Sequence, residues 1–365
     1  MSQVPTSILD AFAFDGDVIG IQPNELGHIN DTFVIETAQA DQRQRYILQR
    51  INQHVFRQPR ALMLNIIRVT EFLRAKILAE GGNPARETLT LIPTTQGDKF
   101  YVTSQGDYWR AYLFIEGARA YQQVESPEHL YQAARAFGRF MRRLEDFPAA
   151  ELHETIPDFH NTPKRFAALM QAAEADAAHR LHEVSDLIRL AQAREEKLGR
   201  VTTALEKGDL PWRVTHNDTK FDNILIDNVT GEGVCVVDLD TVMPGSALYD
   251  FGDFVRTGAN TGAEDEPDPA RVSLDLTHFD AIARGFMQEV GEVLTPQERA
   301  WLPLGAWIIT FEQAMRFLAD YLNGDIYYRI HRPAQNLDRA RAQFKLAADI
   351  EAREASMARI IARYG

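Results

Sequence analysis

Asp218, Asn223 and Asp238 stand in an order that phosphoryl-transfer chemistry requires. Asp218 and Asn223 are five positions apart in the run from Val214 to Asp227, and Asp238 closes the apolar stretch that begins at Val234. The terminal phosphate of a nucleotide is surrounded by negative charge, which repels an incoming nucleophile. Magnesium ions relieve that repulsion, and carboxylates and amide carbonyls are the hard oxygen donors that hold them. The attacking hydroxyl must lie in line with the leaving oxygen, with a carboxylate beside it to take its proton. Asp218 is therefore expected to be the base, and Asn223 and Asp238 the metal-holding groups, the division of labour of a D-x-x-x-x-N loop with a downstream aspartate. Asp240, two positions beyond Asp238, either shares the metal or caps the strand end. Taken alone, an Asp and an Asn at this spacing read more readily as turn caps. The strand-like runs that frame them, at Val214, at Ile224 to Ile226 and at Val234 to Val237, favour the chemical reading instead.

These groups need a scaffold, and the chain has two differently patterned parts. Residues 18–22, 32–37, 46–49, 99–103 and 109–115 are short, rich in β-branched or aromatic side chains and punctuated by Gly, Asn and Asp, which predicts strands. Leu62, Ile66, Val69, Phe72 and Ile77 recur at helical spacing and predict one helix over about 60–80. After a hinge at 114–117 the pattern turns helical. Ser126-Pro127 opens a helix as N-cap and first-turn proline, and Thr162-Pro163 starts a helical region that runs with breaks towards Leu205. Thr295 and Glu298 form a capping box before a helix reaching about Leu322, and a last helix follows Pro333. The acidic, proline-rich stretch 263–269 reads as a solvated connection. The expected fold is α+β and bilobed, protein-kinase-like: a β-rich nucleotide-binding lobe over 1–115 with a small mixed sheet, and a large mainly α-helical lobe over 116–365 that carries the catalytic loop.

Composition narrows the partners. The formal charge of −13 over 365 residues argues against nucleic acid, which needs a basic face. No stretch approaches the length of a membrane span, so no membrane partner is expected. A single cysteine, Cys235, excludes a disulfide within the chain and sits in an apolar strand, where it reads as a small buried hydrophobe. With no apolar leader at the N-terminus, a cytoplasmic enzyme acting on small molecules is expected.

The loop His216-Asn-Asp218 to Asn223, the strand end Val237-Asp238-Leu-Asp240 and the segment Leu248-Tyr-Asp250-Phe-Gly, in this order, resemble the aminoglycoside phosphotransferase and choline kinase superfamily. Gly27-His28-Ile-Asn30, Tyr46 to Gln49, Met243 to Ser246, Met315 to Tyr321 and Gly324 to Tyr327 are more similar to its N-acetylhexosamine 1-kinase branch. The resemblance covers nearly the whole chain. It implies ATP as co-substrate, Mg2+ as cofactor, and transfer to the anomeric hydroxyl of N-acetylglucosamine or N-acetylgalactosamine, with other hexoses as further acceptors. It also implies that His28, Arg316 and Tyr327 contact the sugar and that Asp218 touches the reacting hydroxyl. Kinases of this general fold carry a lysine on the third strand against the nucleotide phosphates. Here Gln49 stands at the matching place, with Arg50 or Lys220 left to supply charge, and the turn around Gly27 has one glycine where a full phosphate loop has three. Gly27, Asn30, Gln49 and Glu116 of the hinge are the expected nucleotide-side residues. An amino-alcohol or aminoglycoside kinase of the same superfamily, or a kinase-fold binding protein without catalysis, are the competing readings.

Overall fold

The computed structural model describes residues 4–24 and 29–365, so the expectations placed on Gly27 and His28 lie outside the described residues. A short helix α1 (Thr6–Leu9) precedes a hairpin-built sheet: β1 (Asp17–Pro23), β2 (Asp31–Gln39) and β3 (Gln42–Arg50), joined between β2 and β3 by a two-residue turn. Helix α2 (Pro59–Ala79) and the single turn α3 (Pro84–Glu87) interrupt it before β4 (Leu91–Ile92), β5 (Tyr101–Val102) and β6 (Tyr108–Leu113). The order is β1-β2-β3-β6-β4, with β5 paired to the other end of β6.

A mixed sheet was expected here, and every pairing in the six-stranded sheet is antiparallel. Short loops favour that arrangement for β1, β2 and β3, and β6 returns antiparallel to β3 after α2 and α3. The next strand, β7 (Ala118–Arg119), no longer joins this sheet but pairs with a strand of the following helical part. The chain therefore changes partners between Leu113 and Ala118, and Gly117 makes the bend at φ +67°.

The large part is built from α4 (Pro127–Arg143), α5 (Thr162–Ala175), α6 (Ser185–Gln192), α7 (Glu195–Leu198) and α8 (Arg200–Lys207). Then come β8 (Arg213–Thr215), β9 (Ile224–Asp227), β10 (Gly233–Val236) and β11 (Met243–Gly245), and finally α9 (Ala247–Gly258), α10 (Leu276–Val290), α11 (Pro296–Leu322) and α12 (Gln335–Ile361). The expected caps are present: Ser126 accepts from the His129 amide, and Thr295 and Glu298 form a reciprocal capping box. Among the described residues no helix is long and apolar enough to cross a membrane.

Two hydrophobic cores result. The smaller lies under the sheet, around Ile35, Tyr46, Leu48, Trp109 and Ala111. The larger runs through the helices and also takes in Leu62, Ile66, Val69 and Leu73 of α2. Helix α2 therefore belongs to the small lobe in sequence and to the large core in packing. At the heart of the large core α9 crosses α11 through glycines. A Cβ on Gly305 would lie 2.5 Å from the Leu248 carbonyl oxygen, and one on Gly252 would strike the Gly305 carbonyl.

The stretch 263–269 is not a free solvated connection. Glu264 pairs with Arg256 at 3.2 Å, and Asp265 accepts from Gln335 Nε2 at 2.9 Å, so the loop is fastened to α9 and to the start of α12.

Candidate active site

The loop that presents Asp218 is shaped by a buried carboxylate of α9. Asp250, buried in the first turn of α9, accepts the backbone N–H of His216 at 2.9 Å and of Asn217 at 2.8 Å. Burial raises its pKa above the ordinary carboxylate value, against the two N–H bonds that favour the charge. The Thr219 hydroxyl adds a bond to the Asp250 carbonyl at 2.6 Å, and the Thr241 hydroxyl holds the His216 carbonyl at 2.7 Å. Asn217 sits in the left-handed region at φ +64°, a backbone state that Asn tolerates better than most residues. His216 is fully buried. Its Nδ1 faces the Asp218 N–H at 3.3 Å and its Nε2 the Val237 carbonyl at 2.9 Å, so Nε2 carries the proton. The residues on either side of Asp218, His216, Asn217 and Thr219, are thus tied to Val237, Thr241 or Asp250.

Asp218 itself is half-buried. Its carboxylate pairs with Lys220 Nζ at 2.8 Å and receives Asn223 Nδ2 at 3.3 Å. Burial acts to raise its pKa, but the Lys220 ammonium outweighs burial and leaves the carboxylate below its ordinary value. It is held ionised, the state that a general base would need. The same contact raises Lys220.

Asn223 commits its Nδ2 to the Asp218 carbonyl at 2.8 Å, which leaves its Oδ1 as the atom it can offer. Asp238 takes the left-handed conformation, φ +58° and ψ +61°, at the end of β10. Its side chain opens to solvent, and among the described residues it has no hydrogen-bond or ion-pair partner. Surrounding protein mass, then Asp240 and Asp218, push its pKa up to about 7. A crowded, unpartnered carboxylate on a strained backbone is where a cation relieves the most repulsion.

Asp240, expected as a possible second metal ligand beside Asp238, instead has both oxygens engaged. One pairs with Arg110, and the other accepts Asn30 Nδ2 at 2.6 Å. Asn30 and Gln49, expected on the nucleotide, belong to the same buried network. Asn30 Oδ1 accepts the Asn52 N–H at 2.9 Å; Gln49 accepts Arg110 Nε at 2.9 Å and donates to the Thr32 hydroxyl at 3.1 Å. In the sheet register Gln49 lies directly opposite Arg110 of β6, whose guanidinium is buried against Asp240 and Gln49. Sequence reasoning missed Arg110, although an arginine flanked by Trp109 and Ala111 in an apolar strand is itself a signal of a buried partner. The Glu116 carboxylate turns to Arg45, at 2.9 Å from its Nε, and its main-chain carbonyl takes Arg86.

A second wall faces the loop from α5 and α11. His160 bridges Glu312 at 2.8 Å and the Asn217 carbonyl at 3.4 Å, and Glu312 also accepts the Thr162 hydroxyl at 2.6 Å. One turn further along α11, Arg316 lies with its guanidinium 5.3 Å from the Phe159 ring and 5.8 Å from the Tyr328 ring. Asp320 gathers the backbone N–H groups of Ile326, Tyr327 and Tyr328 at 3.0, 2.8 and 3.0 Å, curling the 323–334 segment so that Tyr327 stands out, 66% exposed, against Tyr328. The structure therefore brings Arg316 and Tyr327 together. His160, Glu312 and Asp320, which hold this wall in place, had no role in the sequence reading.

Residues 20–287 match the phosphotransferase enzyme family. Solved structures share the fold at low identity. A microcompartment-associated aminopropanol kinase superposes with TM-score 0.60 at 15% identity, covering 96% of this chain and 97% of that one. An aminoglycoside phosphotransferase from Alicyclobacillus acidocaldarius gives 0.58 at 13% identity, covering 100% and 98%. The amicoumacin kinase hAmiN, in complex with AMP-PNP, Ca2+ and amicoumacin, gives 0.60 at 12%, covering 94% and 92%. The family match spans Asp218, Asn223 and Asp238, and on that match the chain belongs to the phosphotransferase enzyme family.

Proposed function

We propose that this phosphotransferase uses ATP and Mg2+ to phosphorylate the anomeric hydroxyl of N-acetylhexosamines, with Asp218 as the base. The observation that carries the acceptor class is the wall opposite the catalytic loop. It offers Arg316 and Tyr327, while its carboxylates Glu312, Asp320 and Glu264 are each engaged by protein partners. Hydroxyls and an acetamide carbonyl are groups that arginine and tyrosine can bond. A cationic amine calls for free carboxylates or an aromatic cage, and would meet guanidinium repulsion here.

The donor set fits magnesium. Asp238 brings an unpartnered carboxylate and Asn223 a free amide oxygen, and this ion is commonly held by one or two protein oxygens together with water and phosphate. Among the described residues no three His, Cys, Asp or Glu side chains converge on one point, which agrees with a site completed by the nucleotide. When bound, the ion would neutralise the transferring phosphate. Asp218 would orient the acceptor hydroxyl and receive its proton. Lys220, bonded to Asp218, would supply the positive charge beside the transferring phosphate. The buried loop bonds to Asp250 would keep the base from moving as charge develops.

One panel tests this reading: N-acetylglucosamine, N-acetylgalactosamine, glucose, choline, aminopropanol and kanamycin with ATP, read by product mass and by the carbon that bears phosphate. Phosphate on C1 of an N-acetylhexosamine is the expected result. Turnover of amines alone would replace the acceptor class, and nucleotide binding without any transfer would make the chain a binding protein.

A further inference from the structure

Arg165 of α5 and Arg316 of α11 share one neighbour. Arg165 donates to the Phe159 carbonyl from Nε at 3.2 Å and from Nη2 at 2.9 Å, and the Arg316 guanidinium lies over the ring of the same Phe159. Neither arginine has an ion pair with a carboxylate among the described residues; Arg316 donates only to neutral partners such as Gln313, at 3.1 Å. The nearest acid, Glu312, is occupied by His160 and Thr162. Both side chains are half-buried rather than free in solvent. Two like charges gathered on one aromatic residue, in a partly dry cleft, repel each other and lose hydration. Burial first and then the Arg316 charge lower the Arg165 pKa, while that of Arg316, lowered by burial, is raised overall by Tyr328 and Glu312. Arginine's planar fork suits a bidentate grip on an oxyanion.

We propose that Arg165 and Arg316 form an oxyanion subsite of the acceptor cleft, which takes hexoses carrying a carboxylate or a phosphate away from the reacting hydroxyl in preference to their neutral parents. This deepens the sugar reading and rests on it. The transfer step is unchanged: the acceptor oxygen bonds to the terminal phosphorus of ATP, the bond to ADP breaks, and the hydroxyl proton goes to Asp218. The subsite also explains why an arginine on α5, far in sequence from the catalytic loop, points to the same residue as one on α11.

The test is equilibrium binding followed by turnover. Glucuronate and N-acetylglucosamine 6-phosphate are titrated calorimetrically against glucose and N-acetylglucosamine, with wild type, Arg165→Gln and Arg165→Lys. The anionic sugars are expected to bind about ten- to a hundredfold more tightly than their neutral parents, the scale of one or two charge-assisted bonds. Arg165→Gln should remove that advantage while leaving neutral sugars within about threefold, and Arg165→Lys should restore part of it. The two anions separate carboxylate from phosphate recognition. Equal binding of anionic and neutral sugars by wild type would overturn the proposal, as would an Arg165→Gln loss shared by both. Binding needs no turnover, so failure of the kinase reading shows separately, as anion binding without sugar phosphate formation.

Discussion

Arg110 of the small lobe and Asp240 of the large lobe form an ion pair with side-chain exposures of only 1% and 2%. Through Gln49 on one side and Asn30 on the other it links three strands of the sheet to the segment that carries Asp238. Breaking such a pair strands a charge, whereas replacing both members by apolar groups does not. Arg110→Met is expected to lower unfolding stability by about 3–5 kcal/mol, and Arg110→Met with Asp240→Leu to recover most of it. Neither variant should recover activity, because Asp238 loses the support of its neighbour; about 10–100-fold lower kcat is expected in the double variant. Urea midpoints and kcat, measured side by side, check both parts. A double variant with full activity would show that the pair does not position the metal-side strand.

Asp218 is ionised by its Lys220 contact and fixed by a loop that is buried on the other side. Asp218→Asn keeps the shape and the Asn223 neighbour but removes the proton acceptor. The expected outcome is a fall in kcat of about 10²–10⁴-fold with the ATP KM within a few-fold of wild type. A rise in KM alone would mean that Asp218 binds rather than reacts.

Asp238 makes the pH behaviour specific. Its pKa near 7 in the folded chain is above that of an unfolded aspartate, so between these two values the folded state binds the extra proton more tightly. The metal-free protein should therefore lose Asp238's share of stability as pH rises towards 7 and stay lower above it. The side chain is open to solvent, which screens the effect to a small one. Asp238→Asn should flatten that slope in metal-free thermal scans while abolishing magnesium-dependent turnover. Proton and cation compete for one carboxylate, so apparent magnesium affinity should weaken about tenfold per pH unit below 7 and level off above it. An affinity that does not change between pH 5.5 and 8 would remove Asp238 from the metal site.

The crossing of α9 and α11 predicts a purely structural defect. Gly305→Ala forces a methyl group to 2.5 Å from the Leu248 carbonyl, which the buried backbone cannot yield without shifting α9. A loss of about 1–3 kcal/mol is expected, the usual scale of overpacking. Because Asp250 rides on α9, kcat should fall with it, which paired urea and kinetic titrations would detect.

The bilobed plan was legible because its signals are local: hairpin strands with turn residues between them, and capped amphipathic helices at α4 and α11. The proximity of Asp218, Asn223 and Asp238 was legible because their spacing lies within one loop and one strand end. Helix α9 was not, because its polar positions Asp250, Asp253 and Arg256 are buried with the rest and its glycines Gly252 and Gly258 argue against a helix. The role of Arg110 was hidden for a different reason. Its partners Gln49 and Asp240 lie 61 and 130 positions away, and only the sheet register and the lobe contact bring them together. Asp240 misled for the same reason: from sequence it is a second acid beside Asp238, while in space it is the buried counterion of an arginine.

Asp250 gives the sharpest separation between holding the loop and doing the chemistry. It touches neither lysine nor metal-side groups, and its two oxygens serve the His216 and Asn217 amides. Asp250→Ala leaves two buried N–H groups without acceptors, a cost of about 1–3 kcal/mol for each. Asp250→Asn is nearly isosteric but presents one NH2 face, so one amide must lose its acceptor. Both variants should fold less stably, alanine more so, and both should lower kcat at least about tenfold because a small displacement of a base is costly. At saturating magnesium, where Asp238 is metal-bound, the acid limb of the pH–rate profile should stay where it is in wild type, since the titrating base is still Asp218 beside Lys220. A shift of that limb in Asp250→Asn, at unchanged loop stability, would instead make Asp250 part of the proton path.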